Sequence, residues 1–310
     1  MNRLTESGRG ILTIPAPLVS IGIPTYNRPE GLHRTLECIT GQSYRNLEII
    51  VSDNCSPGVD TENVVKEFQR DDPRIHYFRQ DENRGPAANF AFVLEKATGD
   101  YFMWATDDDE RDQDFIKSCV NLLLLHRQVG MAFCNIVNID SFGRIIREYP
   151  SFTIFSGGSS RKTISRYLKS PEFFGKANLI YSLYRTDICK KAWKTYPLVD
   201  QWGSDMCFVL GALARGGICI DSRVLFRKQI ARSTDAPDHV DRITVSRFDT
   251  GTFDLVHAFS YIKNNLRAVR RTPYYWLTLG TLIMRLPGSF AEFCLRPFRY
   301  ISRKLSGWKV

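Results

Sequence analysis

The sequence predicts an α/β protein built on a mostly parallel, doubly wound sheet flanked by helices. Over residues 18–135, short apolar runs with the length of buried strands alternate with segments of helical periodicity. Polar residues gather in the loops that follow these runs. A chain of 310 residues, 43% of them hydrophobic, is long enough to bury one large α/β core and to carry an appendage.

Each strand-like run in this region ends at a turn or a helix breaker. Pro24 closes Leu18–Pro24, Leu47–Asp53 leads into the turn at 54–58, and Ile75–Phe78 precedes a polar loop. Apolar residues at helical spacing indicate the intervening helices. They are Leu32, Leu36 and Ile39 in the first helix, Val64, Val65 and Phe68 in the second (60–70), and Phe90, Val93, Leu94 and Ala97 in the third (86–97).

The fourth strand-like run begins after Gly99 and ends in the aspartates Asp107–Asp109. A helix over 112–126 and a strand over Met131–Cys134 are expected next. Beyond residue 135 the pattern is mixed. It predicts a hairpin over 136–148, a helix after the glycine-rich loop at 156–160, a helix over 204–215, strands at 218–220 and 224–226, and mostly helix over 240–271.

Ligands of such sheets bind beyond the carboxyl ends of the strands, so the loops at that edge form the expected site. Three consecutive aspartates at one strand end repel one another unless a cation neutralises them. Mg²⁺ or Mn²⁺, which prefers oxygen ligands and keeps substrate phosphates in its shell, fits this cluster. A solvated acidic loop or a helix cap is the alternative interpretation of the aspartates alone.

Five segments, in order, resemble family 2 glycosyltransferases of the bacterial surface-polysaccharide type. They are Val19–Arg28, Ile49–Asn54, Asn83–Asn89, Gly99–Asp108 and Trp202–Asp205. The resemblance implies the Rossmann-like GT-A fold and an inverting transfer of a sugar from a nucleotide diphosphate, most simply UDP, to an acceptor hydroxyl. Such a reaction needs a nucleotide pocket, a metal that stabilises the leaving diphosphate, and a general base for the acceptor.

The resemblance also assigns roles to residues. Asp205 is the expected catalytic base, and Asp108 is the expected ligand of the divalent metal, with Thr106 in place of the first acid of the family pattern and Asp109 in support. The residues expected to bind the nucleotide-sugar donor are Pro24, Thr25, Asn27, Arg28, Asp53, Arg84 and Asp107. Acceptor contacts are expected from Asn178, Tyr181, Trp202 and Gly203. A loop that closes over the diphosphate is expected to carry Arg227, Lys228, Arg232 and Ser233.

Positive charge is concentrated at the end of the chain. The net charge is +9, and residues 267–310 hold nine Arg and Lys against one acid, Glu292. The rest of the chain is therefore near neutral, which argues against nucleic acid as a partner. Basic residues alternate with aromatic and aliphatic residues in this tail, a pattern typical of segments that lie on anionic membranes. A helical appendage packed on the catalytic domain is the alternative.

These observations predict an N-terminal extension (1–17), a catalytic domain (18–235) and a helical C-terminal region (236–310). Within the catalytic domain, 18–135 is expected to bind the nucleotide and 136–235 a saccharide or lipid-linked saccharide acceptor. The N-terminus lacks a long apolar core, so we expect a cytoplasmic protein, on the membrane surface if the tail binds lipid. A metal-dependent nucleotide-sugar phosphohydrolase and a non-catalytic nucleotide-sugar-binding protein remain the alternatives. Asp205 argues against the binding protein, and Asp53 and Arg84 argue against the hydrolase.

Overall fold

The structure is a computed structural model that describes residues 16–106, 109–140, 142–157, 160–171, 174–199, 201, 203–229 and 255–284. Asp107, Asp108 and Trp202, together with residues 230–254 and 285–310, lie outside the described residues. The predicted metal ligand and most of the basic tail are therefore not placed.

The described part of the chain contains nine strands and eight bounded α-helices. The strands are β1 Val19–Thr25, β2 Leu47–Asp53, β3 Ile75–Arg79, β4 Tyr101–Trp104, β5 Asp109–Arg111, β6 Met131–Ile139, β7 Ile145–Glu148, β8 Leu183–Arg185 and β9 Ile218–Gln229. The helices are α1 Pro29–Thr40, α2 Asp60–Gln69, α3 Pro86–Lys96, α4 Phe115–Leu125, α5 Ser160–Lys169, α6 Thr186–Thr195, α7 Ser204–Gly216 and α8 Leu255–Ala268. A further helical stretch covers 275–284.

All the described strands join one sheet of order β3-β2-β1-β4-β8-β6-β9-β5, with β7 beside β6. The pairs among β1, β2, β3 and β4 are parallel, as the alternation of strands and helices predicted. Short β8 then runs antiparallel to both β4 and β6, so the second half of the sheet is mixed. The predicted hairpin is confirmed by the antiparallel pairing of β6 with β7.

Several elements of the second half differ from the prediction. The two short strands expected at 218–220 and 224–226 are one strand, β9, whose register against β6 shifts after Cys134. The register shift occurs at the polar residues 221–223 in the middle of β9, and these residues interrupt the apolar pattern in the sequence. The expected helix over 240–271 is observed as α8 within the described residues.

An aromatic cluster joins the two halves of the sheet immediately before the aspartates. Trp104, fully buried at the end of β4, packs edge-on against Phe102, Tyr184 and Phe208 and lies 5.7 Å from Trp193, measured between ring centroids. The Trp104 indole N–H donates to a backbone carbonyl of α3 at 3.1 Å. These contacts connect β4 with β8, α6 and α7, so the chain enters the acidic segment from a rigid, water-excluded position.

Candidate active site

The carboxyl ends of β1 and β2 lie side by side, as the sequence predicted. Thr25 is in register with Asp53, and the N–H of Asn54 donates to the Thr25 carbonyl at 3.0 Å. The next residues of both loops meet where the Asn27 N–H donates to the Ser56 hydroxyl at 2.7 Å. Asn27 has a φ of 52°, a left-handed conformation that asparagine tolerates better than most residues. The two loops therefore form one bonded surface.

Asp53 is fully buried and serves as a hydrogen-bond acceptor within this surface. One carboxylate oxygen accepts the Ser56 N–H at 2.8 Å, and the other accepts the Tyr77 hydroxyl at 2.9 Å. Burial, together with this bond to Asp53, raises the pKa of Tyr77. Each carboxylate oxygen has a second lone-pair direction. Because Asp53 is 0% exposed, a nucleobase reaches it only where the groups that cover it move aside.

The buried side chain of Asn89 joins the two strands at the same edge. Asn89, in the first turns of α3, donates to the Thr25 carbonyl at 3.3 Å and to the Ser52 carbonyl at 2.9 Å. Its side-chain oxygen accepts the Ser52 hydroxyl at 2.5 Å. The Asn89 side chain thus connects β1, β2 and α3. This residue belongs to a segment that resembles the family, yet sequence reasoning gave it no role.

The third loop joins the edge through its backbone. The Asn54 side chain accepts the Arg84 N–H at 3.0 Å and donates to the Asn83 side chain at 2.8 Å. The Arg84 guanidinium points outward, because the side chain is 65% exposed and its nearest acid, Glu82, is 3.9 Å away. The structure therefore brings Arg84 to the predicted edge with its charged end facing solvent.

The first loop presents an exposed face to solvent. Pro24 and Thr25 are buried within β1, whereas Asn27 and Arg28 are exposed. Tyr26, which the sequence-based set of donor-binding residues omits, is 44% exposed. An exposed aromatic ring at a nucleotide edge can stack on a base. Its position between predicted donor-binding residues was the signal that could have found it.

The acidic segment is anchored on both sides of the two aspartates that are not described. The Thr35 hydroxyl of α1 donates to the Thr106 carbonyl at 3.0 Å. Beyond the gap, Asp109 is buried in β5 and accepts the Thr106 hydroxyl. Asp109 therefore faces the protein, while the predicted metal ligand Asp108 and its neighbour Asp107 lie outside the described residues. Their carboxylate oxygens are the donor type that Mg²⁺ and Mn²⁺ prefer. Among the residues that the structure does describe, no cluster of three metal-binding side chains occurs.

Asp205 is the second residue of α7. That helix begins directly after Gly203, which has a φ of 76°. One carboxylate oxygen accepts the Met206 N–H at 2.7 Å. Burial raises the pKa of Asp205, while the Met206 N–H and the positive charge of Lys228 oppose that rise. A carboxylate whose pKa is raised toward neutrality is a better proton acceptor than an ordinary surface acid.

Lys228 pairs with the acidic segment through the sheet, and its positive charge acts on Asp205. It lies on β9 in register with Asp109 of β5, which corrects the expectation that Arg227 and Lys228 belong to a closing loop. Arg232 and Ser233, expected on the same loop, lie outside the described residues. Its ammonium group lies 5.1 Å from the Tyr181 ring centroid and donates to the Asn178 side chain at 3.4 Å. Two predicted acceptor contacts, Asn178 and Tyr181, thus lie beside Lys228. The sequence could not predict the position of Lys228, because the register of β9 against β6 is irregular.

The chain is similar in sequence to glycosyltransferases. The model of Glycosyl transferase family 2 matches residues 20–188, more than half of the chain. A Campylobacter jejuni protein described as GalNAc(5)-diNAcBac-PP-undecaprenol beta-1,3-glucosyltransferase is 41% identical over 136 residues, covering 43% of this chain and 42% of that protein. The Escherichia coli putative colanic acid biosynthesis glycosyl transferase WcaA is 33% identical over 113 residues, covering 36% and 38%. The chain therefore matches less than half the length of each of these relatives.

Two solved structures share the fold. Staphylococcus aureus TarS (residues 1–349) in complex with UDP superposes with a TM-score of 0.62 at 14% identity, covering 86% of this chain and 71% of that one. A mannosyltransferase from Pyrobaculum calidifontis in complex with GDP-Man and Mn²⁺ gives a TM-score of 0.52 at 15% identity, covering 94% and 81%. Identities this low support the fold alone.

Proposed function

Because the chain belongs to glycosyl transferase family 2 and has its GT-A fold, we propose that it transfers a sugar from a nucleotide diphosphate to an acceptor hydroxyl, with inversion at the anomeric carbon. The observation that carries this proposal is the position of Lys228. Lys228 is in register with Asp109 of β5, which follows the aspartates, and its charge lowers the pKa of Asp205, the candidate base. A leaving-group site and a base on neighbouring elements are what a single displacement with inversion requires.

The donor half, residues 18–135, is proposed to bind the nucleotide at the bonded edge of β1 and β2. Tyr26 would stack on the base, while Pro24, Thr25, Asn27 and Arg28 line the first loop. Asp53 and Arg84 lie on the two adjoining loops, and Asp107 would approach the ribose. UDP is the proposed nucleotide, supported by the UDP and UDP-GlcNAc complexes of the TarS fold relative.

Asp108 is proposed to hold a divalent metal, Mn²⁺ or Mg²⁺, which when bound supplies Lewis-acid stabilisation of the leaving diphosphate. The carboxylates between Thr106 and Asp109 fit such an ion, because both flanking residues are anchored and the donors are hard oxygens. Asp205 takes the proton of the attacking acceptor hydroxyl. The raised pKa of Asp205 suits that step, and the positive charge of Lys228 opposes the rise caused by burial.

A screen for donor-dependent stabilisation tests this proposal. The melting temperature is measured with UDP, GDP and their sugar conjugates, each with and without Mn²⁺. A ligand that binds only the folded state at 100 times its Kd adds about 2.7 kcal/mol of stability. We expect a rise with UDP-sugars that depends on the metal. Failure of every nucleotide sugar to stabilise the protein contradicts the proposal.

The same samples separate transfer from hydrolysis. With a polyprenyl-diphosphate-linked saccharide as acceptor, a transferase forms an extended saccharide and releases the nucleotide diphosphate. Release of nucleotide and free sugar at the same rate with and without acceptor would instead indicate a phosphohydrolase. Binding without turnover would indicate a nucleotide-sugar-binding protein.

A lipid-linked acceptor is proposed from the name of the Campylobacter relative and from the C-terminal helical stretch. Residues 275–284 expose three large apolar side chains at helical spacing: Trp276 (76% exposed), Ile283 (53%) and Met284 (69%). Exposed Arg270 and Arg271 precede them. An apolar helix face beside cationic residues fits an anionic membrane surface. No helix within the described residues is long and apolar enough to cross a bilayer.

Flotation with liposomes tests this surface. We expect the full chain to float with vesicles containing anionic lipid and much less with neutral vesicles. The variant Trp276→Ser/Ile283→Ser should float less than the parent, whereas Leu125→Ser, at an exposed apolar position on α4, should float as the parent does. Equal flotation of all three proteins contradicts the membrane proposal.

A further inference from the structure

Helix α8 is anchored along α7, the helix that carries Asp205. Near the end of α8, the Arg215 guanidinium donates to the Ala268 carbonyl at 3.1 Å and to the Gly211 carbonyl at 2.6 Å. The other side of the same guanidinium donates to the Thr195 hydroxyl of α6 at 2.7 Å. A Cβ on Gly211 would lie 3.2 Å from the Ala268 carbonyl oxygen, so the two helices approach closely here. The end of α8 is therefore fixed in place.

Further along, the same helix holds the loop that leads into α7. The Gln201 side-chain amide donates to the Ser260 hydroxyl at 2.7 Å. The oxygen of that amide accepts the Asn264 side-chain N–H at 3.1 Å. Both ends of the Gln201 side chain are thus bonded by residues one turn apart on α8. Gln201 lies only four positions before Asp205 in the chain.

The Tyr261 ring of α8 packs against Gly203, the residue directly before α7. Gly203 has a φ of +76°, and a Cβ placed there would lie 3.2 Å from Cε2 of Tyr261. The Tyr261 ring therefore packs on the backbone at the point where the chain turns into α7. No side chain caps the N-terminus of α7 among the described residues, and the loop's own bonds include the Ser204 N–H to the Gln201 carbonyl at 3.1 Å and the Val199 N–H to the Ser204 hydroxyl at 2.9 Å. The α8 contacts add to these.

We propose that Ser260, Tyr261 and Asn264 of α8 are positioning residues for the catalytic base. They hold Gln201 and Gly203 so that Asp205 meets the acceptor hydroxyl in the productive orientation. This inference rests on the proposed function, because it needs Asp205 to be the base. Its physical basis is the sensitivity of proton transfer to geometry, since a displacement of about 1 Å can cost about 100-fold in rate.

The proposal predicts a separation between donor binding and turnover. The Gln201 contacts lie in the acceptor half, whereas the edge of β1 and β2 makes its own bonds to α3 and to the neighbouring loops. Loss of the α8 contacts should lower kcat and leave the donor dissociation constant unchanged. A general loss of stability would instead lower the amount of active enzyme and the melting temperature together.

The experiment compares Ser260→Ala/Asn264→Ala with Lys263→Ala in the full chain. Lys263 is exposed on the same turn of α8, so it is the matched control. We expect the double variant to lose at least about 10-fold in kcat for transfer. UDP binding, measured by calorimetry with Mn²⁺, should match the parent. Lys263→Ala should match the parent in both measurements. Ser260→Ala alone, which removes one hydroxyl, provides a milder variant if the double variant melts early.

The double variant Ser260→Ala/Asn264→Ala and the control Lys263→Ala are then measured in the Asp205→Asn background. Positioning through Asp205 predicts that the Ser260→Ala/Asn264→Ala substitutions change the residual rate by less than about 2-fold there, because residues that act as a unit are not additive. An equal loss in both backgrounds overturns the inference. So does a double variant as active as Lys263→Ala. If Asp205→Asn itself transfers normally, the proposed function fails instead, and the two failures are thereby distinguished.

Discussion

The two halves of the candidate site are built in different ways. At the donor edge, the polar side chains Asp53, Asn54 and Asn89 are bonded to backbone groups of adjoining loops and strands. In the acceptor half, the loop before Asp205 is bonded through Gln201 to α8, a helix outside the sheet, and the charge of Lys228 on β9 acts on the pKa of Asp205. The comparison shows that the donor surface follows from the pairing of neighbouring parallel strands, whereas the loop before the candidate base depends on a helix from outside the sheet.

The largest expected effect is a loss of sugar transfer caused by a change in the acceptor half alone. Asp205→Asn keeps the shape of the side chain and removes its ability to accept a proton. General base catalysis contributes about 10²–10⁴ in rate, so transfer should fall by that factor. Donor binding should persist, since the edge of β1 and β2 is untouched. Transfer is measured with labelled donor and binding by calorimetry. A variant with normal turnover removes Asp205 from the mechanism.

The next effect breaks the donor half. Asp53→Asn replaces one acceptor oxygen with an N–H₂ group that faces either the Ser56 N–H or the Tyr77 hydroxyl. A buried donor left without its acceptor costs about 1–3 kcal/mol. The melting temperature and UDP affinity should both fall, while Tyr77→Phe, which removes only one donor, should cost less. Urea titration of the three proteins measures the difference. Equal stability of Asp53→Asn and the parent would show that these bonds are not needed.

A smaller expected effect is a shift in the pH dependence of transfer, which tests whether Lys228 acts on Asp205. Lys228→Met removes the positive charge that opposes the rise in the pKa of Asp205 caused by burial. The pKa of Asp205 should therefore rise further, and the acidic limb of the pH–rate profile should move to higher pH. Lys66→Met, at an exposed lysine of α2, is the matched control. If both variants share the acidic limb of the parent, Lys228 does not act on the base.

The smallest effect concerns stability and pH. The pKa of Asp205 is raised from its usual 3.8, so the folded state keeps its proton at pH values where the unfolded state has lost it. The free energy of unfolding should therefore decline as pH rises from 3.8 through the folded pKa. Asp205→Asn lacks this decline and should gain stability relative to the parent across that window. Parallel unfolding curves at every pH would contradict the raised pKa.

The donor half was largely predictable because its signals are local. Apolar runs ended by Pro24 or by Asp53 predicted parallel strands, and parallel strands bring their carboxyl ends to one edge. The fold class, the family and the meeting of the first three loops are all confirmed. The metal ligand Asp108 and the neighbouring Asp107 remain predictions, because they lie outside the described residues.

The acceptor half was less predictable because its signals are not local. Three-residue β5 and β8 are too short to show periodicity, and both owe their pairing to strands elsewhere in the chain. Lys228 looked like a loop residue, yet it extends β9. The orientation of Arg84 toward solvent also has no signature in the sequence.

By itself, the sequence determined which residue types stand at each strand end and therefore the chemistry available there: clustered carboxylates, a separate Asp205 and polar donor loops. Only the tertiary structure decided which of these groups are bonded, buried or brought together. The physical reason is that strand pairing and helix packing join residues far apart in the chain. A lysine can thus lower the pKa of an aspartate 23 positions earlier, and a C-terminal helix can hold the loop that leads to it.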